Sequence, residues 1–448
     1  MTIDRRQLLL SLGAGLATAA ACRNGAPPDA APSPARPLKS ASGAVDWTAV
    51  RDLFPLSREW THLAGFLLAS NPKPVSDAIA QFRQKIDAEP GWIEDVAFLE
   101  SEGKPLGDIK KAMAYYLGDT PTNICMTSNT TTALAMAYHG LRIRADQHVL
   151  TTEHDHYSHH ESIRYAAARS GAGVKYVTLY DEPAKASAAE MTSRLAGAIG
   201  PKTRAVGVTW VHSGTGVKTP IAAMAEAVAA ANRGRATADR CLLIVDGVHG
   251  FGNQDVYAAR TGVDFFAASN HKWMCGPRGT GVLWGRADAW PELRPTIPSF
   301  DLDGLQTWDA WMNRTELPAT QAAFVSPGGF VAFENFLALP AMMGVHRDIG
   351  RDHIANRIHE LNTAFREGAA SIKGLTLHTP LGRDVSAGLS AFEIAGVKAE
   401  QVTERLRAKK IRTSHSPYKV SYARVSAGIM NSQADIDAVL RELRAIAG

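Results

Sequence analysis

Cysteine is scarce in this chain: four residues in 448, one of them, Cys22, inside an apolar leader. Cys125, Cys241 and Cys275 remain. The first two fall in apolar stretches that read as strands, so they are expected as buried thiols and not as a disulfide framework, even in an oxidising compartment. No Cys and His spacing matches a zinc site. A surplus of one charge is lacking too, since Lys and Arg outnumber Asp and Glu by only 48 to 44. At a net charge of +4, with no basic cluster interleaved with aromatic residues, nothing marks a nucleic-acid surface. No internal repeat is present, and the apolar run at residues 8–21 is too short to cross a bilayer as a permanent helix.

What is present begins with an address. Arg5 and Arg6 precede that apolar run, and residues 1–22 resemble a twin-arginine signal peptide. The resemblance implies the twin-arginine translocation machinery as a partner and the periplasm as destination. Ala19-Ala20-Ala21-Cys22 is similar to a lipoprotein cleavage site, but alanine stands where leucine is usual three residues before the cysteine. Simple cleavage is therefore expected over lipidation. Residues 23–45, rich in Pro, Ala and Ser, read as a flexible linker with no capacity to form a core.

Roughly 400 residues follow, enough for two domains with sizeable cores. Strand-like runs at 123–127, 148–151, 174–177, 205–208 and 241–246 alternate with helical patterns at 131–140, 191–199 and 221–232. This βα repetition predicts an α/β fold, a mainly parallel sheet with helices on both faces. Earlier helical stretches are expected at 77–85 and 109–117. Past Trp284 the alternation weakens. Residues 318–329 read as a loop, after which 330–338 and a long helix near 346–364 open a smaller domain.

The chemistry is placed at Ser269-Asn270-His271-Lys272, where a lysine stands between an apolar run, 264–268, and a turn containing Gly276, Pro277, Gly279 and Gly281. A lysine held at a strand end in apolar surroundings is desolvated, and its neutral amine can form a Schiff base with a carbonyl. Upstream, residues 241–245 run into Asp246-Gly247-Val248-His249, so Asp246 ends a strand and faces the crevice where α/β sheets bind ligands. A third turn, Thr127 to Thr132, lies between strand and helix; its amides and hydroxyls suit a phosphate at a helix amino terminus, and lacking Gly it is no nucleotide loop. Four histidines between His154 and His160 have no carboxylate or cysteine cluster at metal-ligand spacing, so no metal site is expected.

Taken together, Asp246-Gly247-Val248-His249 and Ser269-Asn270-His271-Lys272 followed by Gly276-Pro277-Arg278-Gly279-Thr280-Gly281 resemble the class V aminotransferases of the fold-type I pyridoxal phosphate enzymes. The resemblance covers roughly residues 55–440, and the branch most similar holds the isopenicillin N epimerase-like proteins. It implies pyridoxal 5'-phosphate as cofactor and a two-part chain: a large domain with its amino-terminal arm at 46–325, and a small α+β domain at 326–448. Lys272 would carry the cofactor, Asp246 would face its pyridinium nitrogen, and Asn129, Thr130 and Thr131 its phosphate. A histidine following the 148–151 strand would stack on the ring; His154 and His156 both answer that description. Ser213 stands where the family has an amide or hydroxyl against the phenolic oxygen, although the usual asparagine is absent, and His249 would reach the same oxygen or the ring. Ser269, His271 and Thr280 complete the expected cofactor-binding set.

The family's active sites form at a dimer interface, which makes Thr280 and Ser326 candidate cross-subunit contacts in a homodimer. The segment 61–72 would cross the substrate mouth, or else form an arm packed on the large domain. Arg424 lies amid apolar residues of a predicted strand, 422–426; a buried arginine needs an anionic partner, and its family counterpart binds a substrate α-carboxylate. The expected substrate is an amino acid or similar amine. Transamination, racemisation and epimerisation all begin with α-proton removal by Lys272. An aminotransferase is the expectation; an epimerase, racemase or lyase, or a cofactor-binding protein without turnover, stays open. A cysteine desulfurase would need a thiol on a loop well after the lysine, and no cysteine follows Cys275.

Overall fold

The strand-forming runs are short and aliphatic, and their neighbours in sequence are amphipathic helices, so the chain buries both faces of one sheet. The computed structural model describes residues 37–97, 105–300 and 304–448. The expected signal peptide, with Arg5, Arg6 and Cys22, lies outside the described residues. In chain order the strands are β1 (Thr61–His62), β2 (Ile124–Thr127), β3 (His148–Thr152), β4 (Gly173–Val177), β5 (Thr203–Thr209), β6 (Leu242–Asp246), β7 (Phe265–Ser269), β8 (Gly281–Gly285), β9 (Leu375–Leu377), β10 (Leu389–Ile394), β11 (Ile411–Arg412), β12 (Ser414–His415) and β13 (Ala423–Ser426). Seven of these form the large sheet in the order β2-β8-β7-β6-β5-β3-β4. Only β8 runs against its neighbours β2 and β7, so β2 to β7 all end at the same edge. The α/β expectation is met, with one strand unforeseen: β8 begins at Gly281, inside what reads as a glycine-rich turn.

Alternation along each strand divides the core. Leu243, Val245, Phe266 and Val282 face one apolar layer, while Leu242, Ile244, Phe265 and Leu283 face the other. Both layers are covered by helices, which is what an interior parallel strand requires.

The smaller sheet, β12-β13-β10-β9, is antiparallel and packs against helices Arg351–Ala370 and Gln433–Ala447. The expected long helix near 346–364 is two helices, Leu339–Ile349 and Arg351–Ala370, broken at Gly350 with φ +94°. Phe336, Leu337, Leu339 and Met342 join the large-sheet core, while Leu361, Phe365 and Ala369 of the next helix join the core of the small sheet.

At the amino-terminal side, β1 pairs in parallel with β11 as a separate two-stranded sheet, and Ala64 bridges Ser426 of β13, tying the segment after Trp60 to the small sheet. The linker reading fails at its end: Lys39 bridges Val45, and Leu38, 5% exposed, packs in the cluster that holds Val50, Phe54, Phe66 and Trp273. One leucine in a Pro-Ala-Ser-rich stretch is enough to anchor it when a hydrophobic groove is waiting.

Candidate active site

Because β2, β3, β5, β6 and β7 end at one edge, the residues just past them converge. Asp246 ends β6, buried, with Oδ1 accepting the Val248 amide at 3.1 Å. Among the described residues no cation pairs with it. The turn after Asp246 is tight: a side chain at Gly250 would lie 2.0 Å from the Trp210 ring, so only glycine lets this turn seat His249 over the site.

Lys272 follows β7. Its Nζ lies 3.3 Å from His249 Nε2. Burial drives its pKa down to about 8, with Arg424 adding to the fall and Asp246 opposing it. His249 is held well below the usual histidine value, first by burial and then by Lys272 and Arg424. His271 is lowered to about 4 by burial and the neighbouring cations, and its carbonyl accepts the Ala69 amide. The loop is clasped from two sides. Asn71 Nδ2 donates to the Cys275 and Gly276 carbonyls at 3.1 and 2.7 Å. Thr280, fully buried, donates its hydroxyl to Pro277 O at 2.7 Å and accepts from Asn270 Nδ2 at 3.0 Å. The Thr280 hydroxyl is thus engaged within the loop. Ser326 is buried as well, its hydroxyl 3.3 Å from Ala322 O.

At the β2 end, Asn129 caps helix Thr130–Gly140, Oδ1 accepting the Thr132 amide at 2.9 Å. Thr130 donates its amide to Ser269 Oγ at 2.7 Å, and the two hydroxyls are hydrogen-bonded to each other at 2.6 Å, joining this helix start to the strand that leads to Lys272. Thr131 is exposed at the same terminus.

The two histidines after β3 part company. His154 stacks on Tyr180 at 3.9 Å and its Nε2 accepts the Leu179 amide. His156 caps helix Tyr157–Ser170 through Nδ1, and its pKa falls through burial and the charges of Lys272 and Arg424, against the pull of Asp246. Of the pair, His156 is the one beside the lysine.

Arg424, on β13, reaches the same cleft from the small sheet. It donates to the backbone carbonyls of Ser213 and His415 at 2.7 and 2.8 Å, lies 4.8 Å from the Phe66 ring, and leaves Nε buried without a partner. No acidic side chain pairs with it among the described residues, and burial lowers its pKa to about 10. A buried guanidinium short of one acceptor suits a carboxylate. Ser213 Oγ is bonded to the Tyr418 hydroxyl, and Tyr418 also meets His156 edge-on at 6.3 Å. Phe66 lies 5.8 Å from His249 and Asn71 holds the loop carbonyls, so the 61–72 segment packs on the lysine loop.

Tyr418 and Phe66 escape a reading of the sequence. Tyr418 is 205 positions from Ser213, and nothing in its own surroundings marks it. The donor set fits the cofactor that the sequence resemblance implies: a nucleophilic amine of lowered pKa, a buried carboxylate without a cation, a helix amino terminus with hydroxyls, and a ring-bearing residue, His156, beside them. No cluster that would hold a metal ion occurs among the described residues. Cys125, Cys241 and Cys275 are all buried, and burial pushes the Cys275 thiol up to about 12.

The sequence pattern of the Aminotransferase class-V family matches residues 69–439. An isopenicillin N epimerase of Streptomyces clavuligerus is 27% identical over 90% of this chain and 99% of its own length. A probable cysteine desulfurase of Halalkalibacterium halodurans is 28% identical over 75% of this chain and 80% of its own. Among solved structures, a lysine mutant of C-DES with glycine covalently linked to its PLP cofactor superposes with a TM-score of 0.74 at 19% identity, over 88% of this chain and 98% of that one.

Proposed function

Since the chain belongs to the class V aminotransferase family, we propose that it is a pyridoxal 5'-phosphate-dependent enzyme that acts on an amino acid through Lys272, as an aminotransferase. The observation that carries this is the meeting of Lys272 and Arg424 in one buried cleft, the amine lowered towards neutrality and the guanidinium without an acidic partner. Bound there, pyridoxal phosphate supplies an electron sink that acidifies the substrate's α-proton. Asp246, the 130–140 helix start with Ser269, His156, Ser213 and His249 would hold it. Arg424 orients the substrate carboxylate, and Lys272 Nζ takes and returns the α-proton. Phe66 and Met430, which line the enclosed space beside Lys272, exclude water. Desulfuration is set aside, because no cysteine follows Cys275 and the described thiols are buried.

The test is borohydride reduction of the purified chain followed by peptide mapping. The expected result is a pyridoxyl group on Lys272 and a colourless Lys272→Ala. A label on another lysine, or none, refutes the assignment. Tyr418 favours a second reading, racemisation or epimerisation, because its hydroxyl puts another proton carrier beside Ser213 and His156. Incubation of one amino-acid enantiomer in deuterated water separates the two: oxo-acid product marks transamination, and deuterium in the inverted amino acid marks epimerisation, which Tyr418→Phe should abolish. The same proposal includes export of the folded, loaded protein to the periplasm, supported by Arg5 and Arg6 ahead of the apolar run. Replacing both by lysine should leave active protein in the cytoplasm; an unchanged periplasmic fraction contradicts the route.

A further inference from the structure

Trp273 follows the lysine in sequence and is buried, yet its indole is not simply filling the core. Its Nε1–H donates to His249 Nδ1 at 3.3 Å, while the opposite ring nitrogen, Nε2, lies 3.3 Å from Lys272 Nζ. An indole nitrogen is a donor only. Nδ1 must therefore be the bare nitrogen of His249, and the neutral ring carries its proton on Nε2. That proton points at Nζ. An ammonium has no lone pair to receive it, so the contact is a hydrogen bond only when Lys272 is a neutral amine. The room for the indole is built in: a side chain at Gly388 would lie 2.5 Å from the Trp273 ring.

We propose that Trp273 is a positioning residue that fixes His249 as the Nε2–H tautomer and, through it, holds Lys272 as the free amine. The importance of that amine rests on the function proposed above; the tautomer does not. Several groups act on this chain of donors. Asp246 on β6 favours the charged lysine, while Arg424 on β13 disfavours it. His156 and His271 lie close enough to lower His249 further, and Cys275, beside Lys272 in the same enclosed space, keeps its proton. Trp273 adds a directional constraint that none of these charges supplies: a protonated His249 would need a hydrogen on Nδ1, where the indole already stands.

The experiment uses the full-length chain freed of cofactor. Nitrogen-15 spectra of histidine-labelled protein, with His249→Gln to assign the signal, should find His249 as Nε2–H. In Trp273→Phe, checked for folding by thermal melting, the ring should become a mixture of tautomers. Competitive acetylation of Lys272 by acetic anhydride, mapped by mass spectrometry across pH, should then shift upwards by about one unit, which is about tenfold slower labelling near neutrality. An Nδ1–H tautomer in the unaltered protein overturns the proposal without any variant. So does a Trp273→Phe profile that stays in place. A chain that captures no pyridoxal phosphate would refute the proposed function instead, and both of these readouts would still decide the role of Trp273.

Discussion

Arg424 donates one hydrogen bond from each terminal nitrogen to a carbonyl and holds Nε in reserve. Replacing it by lysine removes the fork but keeps the charge. Arg424→Lys should weaken amino-acid capture by roughly 1.5–3 kcal/mol, the worth of a hydrogen bond to a charged group, and should barely affect the decarboxylated amine. Spectroscopic titration with both ligands checks it; equal losses would make Arg424 a structural residue. Lys272 itself predicts a pH response. With its pKa lowered to about 8 by burial, the neutral fraction grows as pH rises from about 7 to about 9, and the rate of pyridoxal phosphate capture should climb across that window and then level.

At the scale of elements, the lysine loop depends on a segment two hundred residues upstream. Asn71 satisfies two carbonyls of that loop from the end of the arm that β1 ties to β11. Asn71→Ala leaves both acceptors buried and unpaired, which costs about 1–3 kcal/mol. Urea unfolding measures the loss, and a variant as stable as the parent would show that water replaces the amide. The strand pattern of the large sheet was readable because β3, β5 and β6 are buried on both faces and each carries an unbroken apolar stretch, Val149–Leu150, Ala205–Val208 and Leu242–Val245. Strand β8 was not, because its first residue, Gly281, and the glycines before it carry the signature of a turn.

For the molecule as a whole, buried histidines set the acid limit. Burial pushes His212 down to about 3 and His346 down to about 4, so the folded protein keeps them neutral. An unfolded chain protonates histidine near its ordinary value, about 6.5. Below that pH the unfolded state binds more protons than the folded one, and stability falls as pH drops from about 6.5 towards 4, by about 1.4 kcal/mol per unit for each such histidine. Melting temperature across that range tests the sign, and His212→Gln should flatten the slope. A melting curve independent of pH over this window would mean that neither ring stays neutral in the fold.

Sequence alone determined what local chemistry determines: where apolar runs end, that a lysine and an aspartate stand at two strand ends, and that an arginine sits among apolar neighbours in a later strand. Those are short-range facts, written in burial period and turn residues. Tertiary structure decided which side chains share a space. It turned His154 onto Tyr180 and left His156 beside Lys272, engaged the Thr280 hydroxyl inside its own loop, and brought Tyr418 to Ser213 across 205 positions. The orientation of a side chain past a strand end is set by partners far along the chain, and no local pattern encodes their approach.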